Sequence, residues 1–267
     1  MPVTDTHTNS QGQGLYKSLE LPLPSAAGPP AAPTSSSPYI LIYGGSTATG
    51  IFGIQFARLS GYRVLATASP RNAAYLRSLG AEEVYDYHRP AAEVGAAIRA
   101  RTGNGLRVAW DCTGDGVELC GRALADDPGA GDRDAPRYGT IIGVEEEALR
   151  RANPVAKGPF MTLGYEIFGE RFTFVFAHGD SGDGEGDGDG AGDKEKKVKE
   201  VVFEAKPDEF EFAKEFWELS RRLLAAGLLK TVTPIVNRGG AGLDGVLVGL
   251  EELRNGKVSA GKLVYTL

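Results

Sequence analysis

The chain has 267 residues, 42% apolar and 24% charged, which is ample for a core and ordinary for a soluble globular protein. Its net charge of −6 is concentrated: six acidic residues fall within Gly179–Asp193 (GDSGDGEGDGDGAGD), and the remainder offers neither a basic face for nucleic acid nor a polybasic run for a membrane. The apolar runs are strand-length, the first residues form no signal-like apolar segment, and Cys112 and Cys120 match no zinc spacing with His7, His88 or His178. A cytoplasmic, reducing setting without a metal is expected, with Cys112 as a small buried residue at a strand end.

Residues 1–37 are rich in Pro, Ser, Thr, Gly and Ala and read as a disordered lead and linker, apart from Leu15–Leu23. From Pro38 the texture changes. Tyr39–Tyr43 (YILIY) is a continuous apolar run, as in a strand buried on both faces. Gly44–Gly50 follows, then Ile51–Leu59 with apolar residues at helical spacing, then a second strand over Arg63–Ala68. The alternation repeats as helix Asn72–Leu79, strand Glu83–Tyr85, helix Ala91–Arg101, strand Arg107–Trp110, helix Val117–Leu124 and strand Tyr138–Ile142. Strand and helix at this pitch predict an α/β fold, a Rossmann-like doubly wound parallel sheet with flanking helices over 38–267.

After Gly143 the pattern loosens. A strand is expected at Phe172–Ala177, and the acidic stretch 179–193 reads as a flexible insertion remote from any site. Its repeated GDGD lacks the periodic apolar position that a calcium-binding nonapeptide array needs. Helix Asp208–Ala226, strand Thr231–Val236, helix Leu243–Arg254 and strand Lys262–Tyr265 finish the chain, expected to extend or flank the same sheet.

The turn after the first strand carries the chemistry. A glycine-rich strand-to-helix turn lets backbone N–H groups approach a pyrophosphate at the helix N-terminus. The spacing G-x-G-x-x-G falls on Gly45, Thr47 and Gly50, so the middle glycine is replaced, while Ser46, Thr47 and Thr49 add hydroxyl donors. The second strand ends in Thr67-Ala68-Ser69-Pro70-Arg71-Asn72, with no carboxylate to hold the ribose 2′-OH of NAD. Ser69 and Arg71 can pair with a 2′-phosphate instead, which favours NADP. Ser69-Pro70 also has the form of an ordinary helix N-cap followed by proline, and the two readings are compatible.

Five runs, YILIYGGSTATG, LSGYRVLATASPRN, LRSLGAEEVYDYH, LRVAWDCTG and GKVSAGKLVYTL, together resemble the zinc-independent medium-chain dehydrogenase/reductase superfamily. The strongest likeness is to the fungal trans-acting enoyl reductases that serve polyketide synthases, and it spans Leu15 to the last residue. The resemblance implies that Gly45, Ser46, Thr47, Ala48, Thr49 and Gly50 hold the pyrophosphate of NADP, and Ser69, Pro70, Arg71 and Asn72 the 2′-phosphate. It places Tyr87 beside the adenosine, Ile141 and Ile142 near the nicotinamide, and Val258 and Ser259 back at the cofactor. A weaker match, Thr162-Leu163-Gly164-Tyr165-Glu166, resembles the acyl-lining stretch.

Leu15–Pro22 resembles the hinge helix that leads from the family's catalytic lobe into its Rossmann domain, and only the last few residues of that lobe have counterparts here. The resemblance therefore implies a truncated chain lacking one wall of the substrate cleft. The implied reaction is hydride transfer from NADPH to an α,β-unsaturated acyl thioester, carried on an acyl carrier domain of the synthase. The alternative is a non-catalytic NADP-binding remnant. Neither Tyr87 nor His88 has a context that marks a proton donor, and His88 reads as a surface histidine. A short-chain reductase is excluded, because no tyrosine has a lysine four residues on.

Overall fold

The computed structural model describes residues 11–25, 32–131, 134–177 and 198–267. The acidic stretch 179–193, His7 and His178 lie outside them. The described residues form two compact units, one running up to Gly164 and resuming at Glu215–Leu267, the other Tyr165–Lys214. That division is wider than the acidic stretch the sequence sets apart.

In the larger unit six strands form one sheet: β1 (Tyr39–Tyr43), β2 (Arg63–Thr67), β3 (Ala81–Tyr85), β4 (Leu106–Asp111), β5 (Arg137–Thr140) and β6 (Lys157–Met161). Their order is β3-β2-β1-β4-β5-β6, and every pairing is parallel. The direction of winding reverses between β1 and β4, which opens a crevice beyond their carboxyl ends, where ligands of such sheets bind. The intervening helices are α1 (Ala48–Leu59), α2 (Ala73–Leu79), α3 (Ala91–Thr102), α4 (Val117–Ala123) and α5 (Glu146–Ala152).

The apolar run of β1 is explained by burial on both faces: Ile40, Leu41 and Ile42 are fully enclosed. Leu41 and Tyr43 belong to a core with Val94 and Ile98 of α3, Leu119 and Cys120 of α4, and Leu149 of α5. On α1, Ile51, Phe52, Ile54, Phe56 and Leu59 are all buried. One cover over α1 is a short π-helical turn, Gln13–Ser18, where a hinge helix over Leu15–Pro22 was expected. Its Tyr16 meets Phe56 and Phe216, with ring centroids 6.4 and 5.5 Å apart, and Phe56 and Phe216 are 5.0 Å apart. Rings buried this way contribute roughly 1.5–3 kcal/mol each. Gly14 lets the turn approach: a Cβ there would lie 2.1 Å from the Trp110 ring.

Two elements of the sheet layer have no counterpart in the sequence reading, α5 and β6. Helix α5 (EEALRRA) is two turns long and buries only Leu149, while β6 (KGPFM) carries Gly158 and Pro159, which a strand tolerates at a sheet edge. Of the two arrangements expected for the last strands, the structure shows one. After the helix α6 (Pro207–Ala225, within which the two units divide), β9 (Pro234–Val236) and β10 (Lys262–Val264) pair in parallel with each other as a separate two-stranded sheet, with α7 (Gly242–Arg254) between them in sequence. They flank the main sheet without extending it.

The smaller unit holds an antiparallel pair, β7 (Phe172–Ala177) and β8 (Val198–Phe203), of which only β7 was foreseen. Opposed Phe172 and Phe203 stack with centroids 5.1 Å apart, and Tyr165 packs on Phe172 and Phe174.

Candidate cofactor site

The turn after β1 is a tight structure with its own internal logic. Gly44 has φ +73°, a conformation costly for any residue with a Cβ. Its N–H donates to Thr67 Oγ1 at 3.0 Å, and the Gly45 N–H donates to the Thr67 carbonyl at 2.8 Å. Thr67, fully buried at the end of β2, thus anchors the turn from the neighbouring strand, a role the sequence reading missed. Gly50 is needed for close approach: a Cβ there would lie 2.3 Å from the Gly44 carbonyl oxygen and 2.7 Å from Gly45 Cα.

Thr47 corrects the expectation of three hydroxyl donors. It is the N-cap of α1: its hydroxyl accepts from the Gly50 N–H at 2.9 Å and donates to the Gly44 carbonyl at 2.9 Å. A hydroxyl has one proton, and Gly44 takes it. The residue in place of the middle glycine therefore spends its hydroxyl on shaping the turn. Ser46 is half-buried, and its hydroxyl has no hydrogen-bond partner among the described residues. Ala48, in the first turn of α1, has an N–H with no acceptor inside the helix. Thr49 is buried.

Beyond β2, Ser69 occupies the N-cap position of a short 3₁₀ turn with Pro70 inside it, yet its hydroxyl makes no capping bond. The geometry of a cap is present and the hydroxyl is not consumed by it. Arg71 is exposed and makes no ion pair among the described residues. Asn72 is buried, and its Nδ2 donates to Ser259 Oγ at 2.7 Å. The Ala260 N–H donates to the Ser46 carbonyl at 3.2 Å. Three segments far apart in sequence, 44–50, 69–72 and 258–260, therefore meet at one end of the sheet, with Val258 and Ser259 half-buried.

Tyr87 is 40% exposed, stacks on His88 with centroids 4.1 Å apart, and meets Tyr43 edge-on at 6.3 Å. His88 is exposed, and its Nδ1 lies 2.6 Å from Asp86 Oδ1. That contact holds the Asp86 carboxyl below the usual carboxylate range. Ile141 is half-buried after β5, and Ile142 is 53% exposed against Gly114 of the loop that follows β4.

That loop is ordered by Asp111, a residue to which the sequence pattern assigns no role. Its carboxylate is fully buried at the end of β4. Oδ1 accepts from the Thr113 N–H at 2.8 Å, the Thr113 hydroxyl at 3.0 Å and the Gly114 N–H at 2.9 Å. Oδ2 accepts from the Gly116 N–H at 2.7 Å and the Tyr138 hydroxyl at 2.8 Å. The signal was the Asp followed by turn residues, DCTGDG, the pattern of an Asx-type loop. Burial, reinforced by nearby Asp111, pushes the Cys112 and Cys120 thiols well above their ordinary range. Both are free, buried and protonated at neutral pH.

The expected acyl-lining stretch is divided. Thr162 is buried in the larger unit with its hydroxyl 3.0 Å from that of Ser18, followed by half-buried Leu163 and Gly164. Tyr165, 49% exposed, and Glu166, paired with Lys206 at 2.6 Å, belong to the smaller unit. Among the described residues no group of three or more His, Cys, Asp or Glu side chains could hold a metal, and no helix is long and apolar enough to cross a membrane.

A family model described as a zinc-binding dehydrogenase matches residues 48–126. The trans-enoyl reductase ACTTS2 of Alternaria alternata is 34% identical over 256 residues, covering 96% of this chain and 61% of that protein. The chain is thus similar over nearly its whole length to a fungal trans-enoyl reductase. The enoyl reductase component lovC of the lovastatin nonaketide synthase from Aspergillus terreus is 34% identical over 252 residues, covering 93% of this chain and 58% of lovC. The chain thus spans about three fifths of these relatives, and 29% of the dual trans-enoyl reductase/FAD-dependent monooxygenase tazHJ, to which it is 37% identical. Among solved structures, the CurK enoyl reductase superposes with a TM-score of 0.60 at 16% identity, covering 98% of this chain and 60% of CurK. A mycobacterial protein solved with NADPH gives 0.61 at 15%, covering 99% and 65%. At these identities the structural likeness concerns the fold alone.

Proposed function

We propose that this protein is a member of the medium-chain dehydrogenase/reductase family, binds NADPH across the carboxyl ends of β1, β2 and β5 and serves in the reduction of an α,β-unsaturated acyl thioester in polyketide-type metabolism. The observation that carries the cofactor reading is the end of β2. It presents a Ser69 hydroxyl and an Arg71 guanidinium that have no partner among the described residues, where an NAD site places a carboxylate. The residues fit the group: Gly45 and Gly50 let the turn close tightly, since a Cβ on Gly45 would press on Ala66, Leu76 and Ile54 and one on Gly50 on the Gly44 carbonyl, and the turn leads straight into the α1 N-terminus. The thioester reading rests on the reductases named among the relatives, and a carrier-bound substrate and a cytoplasmic setting are part of the same proposal.

Bound NADPH would supply the hydride; the protein supplies placement. Ser46 and the α1 N-terminus orient the pyrophosphate, Ser69 and Arg71 grip the 2′-phosphate, and Tyr87 packs against the adenosine. Ile141 and Ile142 present an apolar surface to the nicotinamide side.

Arg71→Ala is expected to weaken NADPH by about 1–3 kcal/mol, the worth of a hydrogen bond to a charged group, with NADH nearly unchanged. Calorimetric titration of both cofactors measures this, and equal losses would remove Arg71 from the 2′-phosphate site. The reaction itself is tested with NADPH deuterated at the nicotinamide C4 and a crotonyl thioester. Deuterium at the β-carbon of the product is expected. NADPH binding without any label transfer would support the non-catalytic reading instead.

A further inference from the structure

We propose that Asn72 is a positioning residue that acts through Ser259, and not a direct ligand of the 2′-phosphate. The inference rests on the NADPH reading above. Asn72 follows Arg71 in the expected phosphate-binding run, yet its side chain turns inward: the residue is 8% exposed and its Nδ2 is spent on Ser259 Oγ at 2.7 Å. Arg71 and Asn72, adjacent in sequence, therefore have opposite fates, one exposed and unpaired, the other buried and committed.

The bond joins residues 187 positions apart and holds the loop before β10 from one side. From the other side the Ser46 carbonyl holds the same loop by accepting the Ala260 N–H, and Ala260 adopts φ +56°, a left-handed conformation that non-glycine residues adopt only when held. Further back, Gln55 of α1 exchanges two hydrogen bonds with the Lys230 backbone at 3.0 and 2.8 Å. The layer carrying β9 and β10 is thus seated on the cofactor helix, and the Asn72–Ser259 bond fixes its tip.

The direction of that bond has a chemical consequence. Asn72 donates, so Ser259 Oγ accepts, and the single serine proton is left to point elsewhere. Ser259 is thereby presented as a hydrogen-bond donor at the meeting point of the pyrophosphate turn and the 2′-phosphate segment. Arg71 distinguishes NADPH from NADH, whereas Asn72, acting through Ser259, supports the portion that the two cofactors share.

The test is calorimetric titration of NADPH and NADH against Asn72→Ala, Ser259→Ala, the double variant and Asn72→His, whose Nδ1–H replaces the amide donor. Asn72→Ala should weaken both cofactors by the same factor, about three- to tenfold, the worth of one hydrogen bond. The double variant should bind as Ser259→Ala does, and Asn72→His should recover most of the loss while melting temperature stays within a few degrees. Loss of NADPH alone, or additive losses in the double variant, would overturn the proposal. Amide exchange at Ala260 in the ligand-free protein separates this idea from the cofactor reading. It should quicken equally in the two alanine variants, and unchanged exchange there would refute the clip whether or not NADPH binds.

Discussion

Asp111→Ala is expected to destabilise the domain by about 3–5 kcal/mol, the scale of removing one partner from a buried charged network. Five donors converge on this carboxylate, three from the loop residues Thr113 and Gly114, one from the Gly116 N–H and one from Tyr138 of β5. Alanine leaves them facing a cavity, and each buried donor without an acceptor costs about 1–3 kcal/mol unless water enters. The loop it orders also supports Ile142 through Gly114, so NADPH affinity should fall with stability. Asp111→Asn should lose less, because one oxygen remains and Tyr138 can rotate to accept. Denaturant unfolding of the three proteins measures the series; a loss below about 1 kcal/mol for alanine would mean that the loop is ordered by something else.

Gly50→Ala is expected to reduce NADPH affinity more than tenfold and to cost about 1–3 kcal/mol of stability, as overpacking does. The added Cβ would sit 2.3 Å from the Gly44 carbonyl oxygen, and the neighbour is backbone, which cannot rotate away. Relief requires α1 to shift from the turn, which pulls the Gly50 N–H from Thr47 Oγ1 and opens the pyrophosphate cradle. Gly61→Ala is the contrasting substitution: its Cβ would meet nothing within 4 Å, although φ +88° strains it. It should cost stability while sparing cofactor affinity. Equal NADPH binding by Gly50→Ala and the unsubstituted protein would contradict the role assigned to the turn.

The sheet was legible in the sequence wherever burial wrote a clear pattern. YILIY is apolar throughout because β1 lies at the centre of a sheet covered on both faces, and glycines ended several of the helices: Gly80 and Gly103 are left-handed C-caps. Where burial is slight the pattern fades. Helix α5 encloses a single leucine and β6 lies at the edge, so neither carried a period to read. The carboxyl-terminal strands were recognised as strands, but nothing in PIV or KLV says which sheet they join.

The site was legible by segment rather than by atom. Its three segments do converge, but residue type alone could not say where each polar group is spent. Thr47 caps its own helix and Asn72 binds Ser259, while Ser46, Ser69 and Arg71 keep their groups uncommitted. Thr67 and Asp111, which hold the loops in shape, looked like ordinary strand-end residues because their partners are mostly backbone N–H groups and a distant tyrosine.

Calorimetric titration of the unsubstituted protein with NADPH and with NADH tests the central claim most directly. A single saturable site is expected, with NADPH preferred by about tenfold or more, since the 2′-phosphate gains charge-assisted hydrogen bonds from Arg71 and Ser69 that NADH cannot make. Absence of binding, or equal affinity for the two cofactors, would contradict the account of how residues 44–50, 69–72 and 258–260 work together.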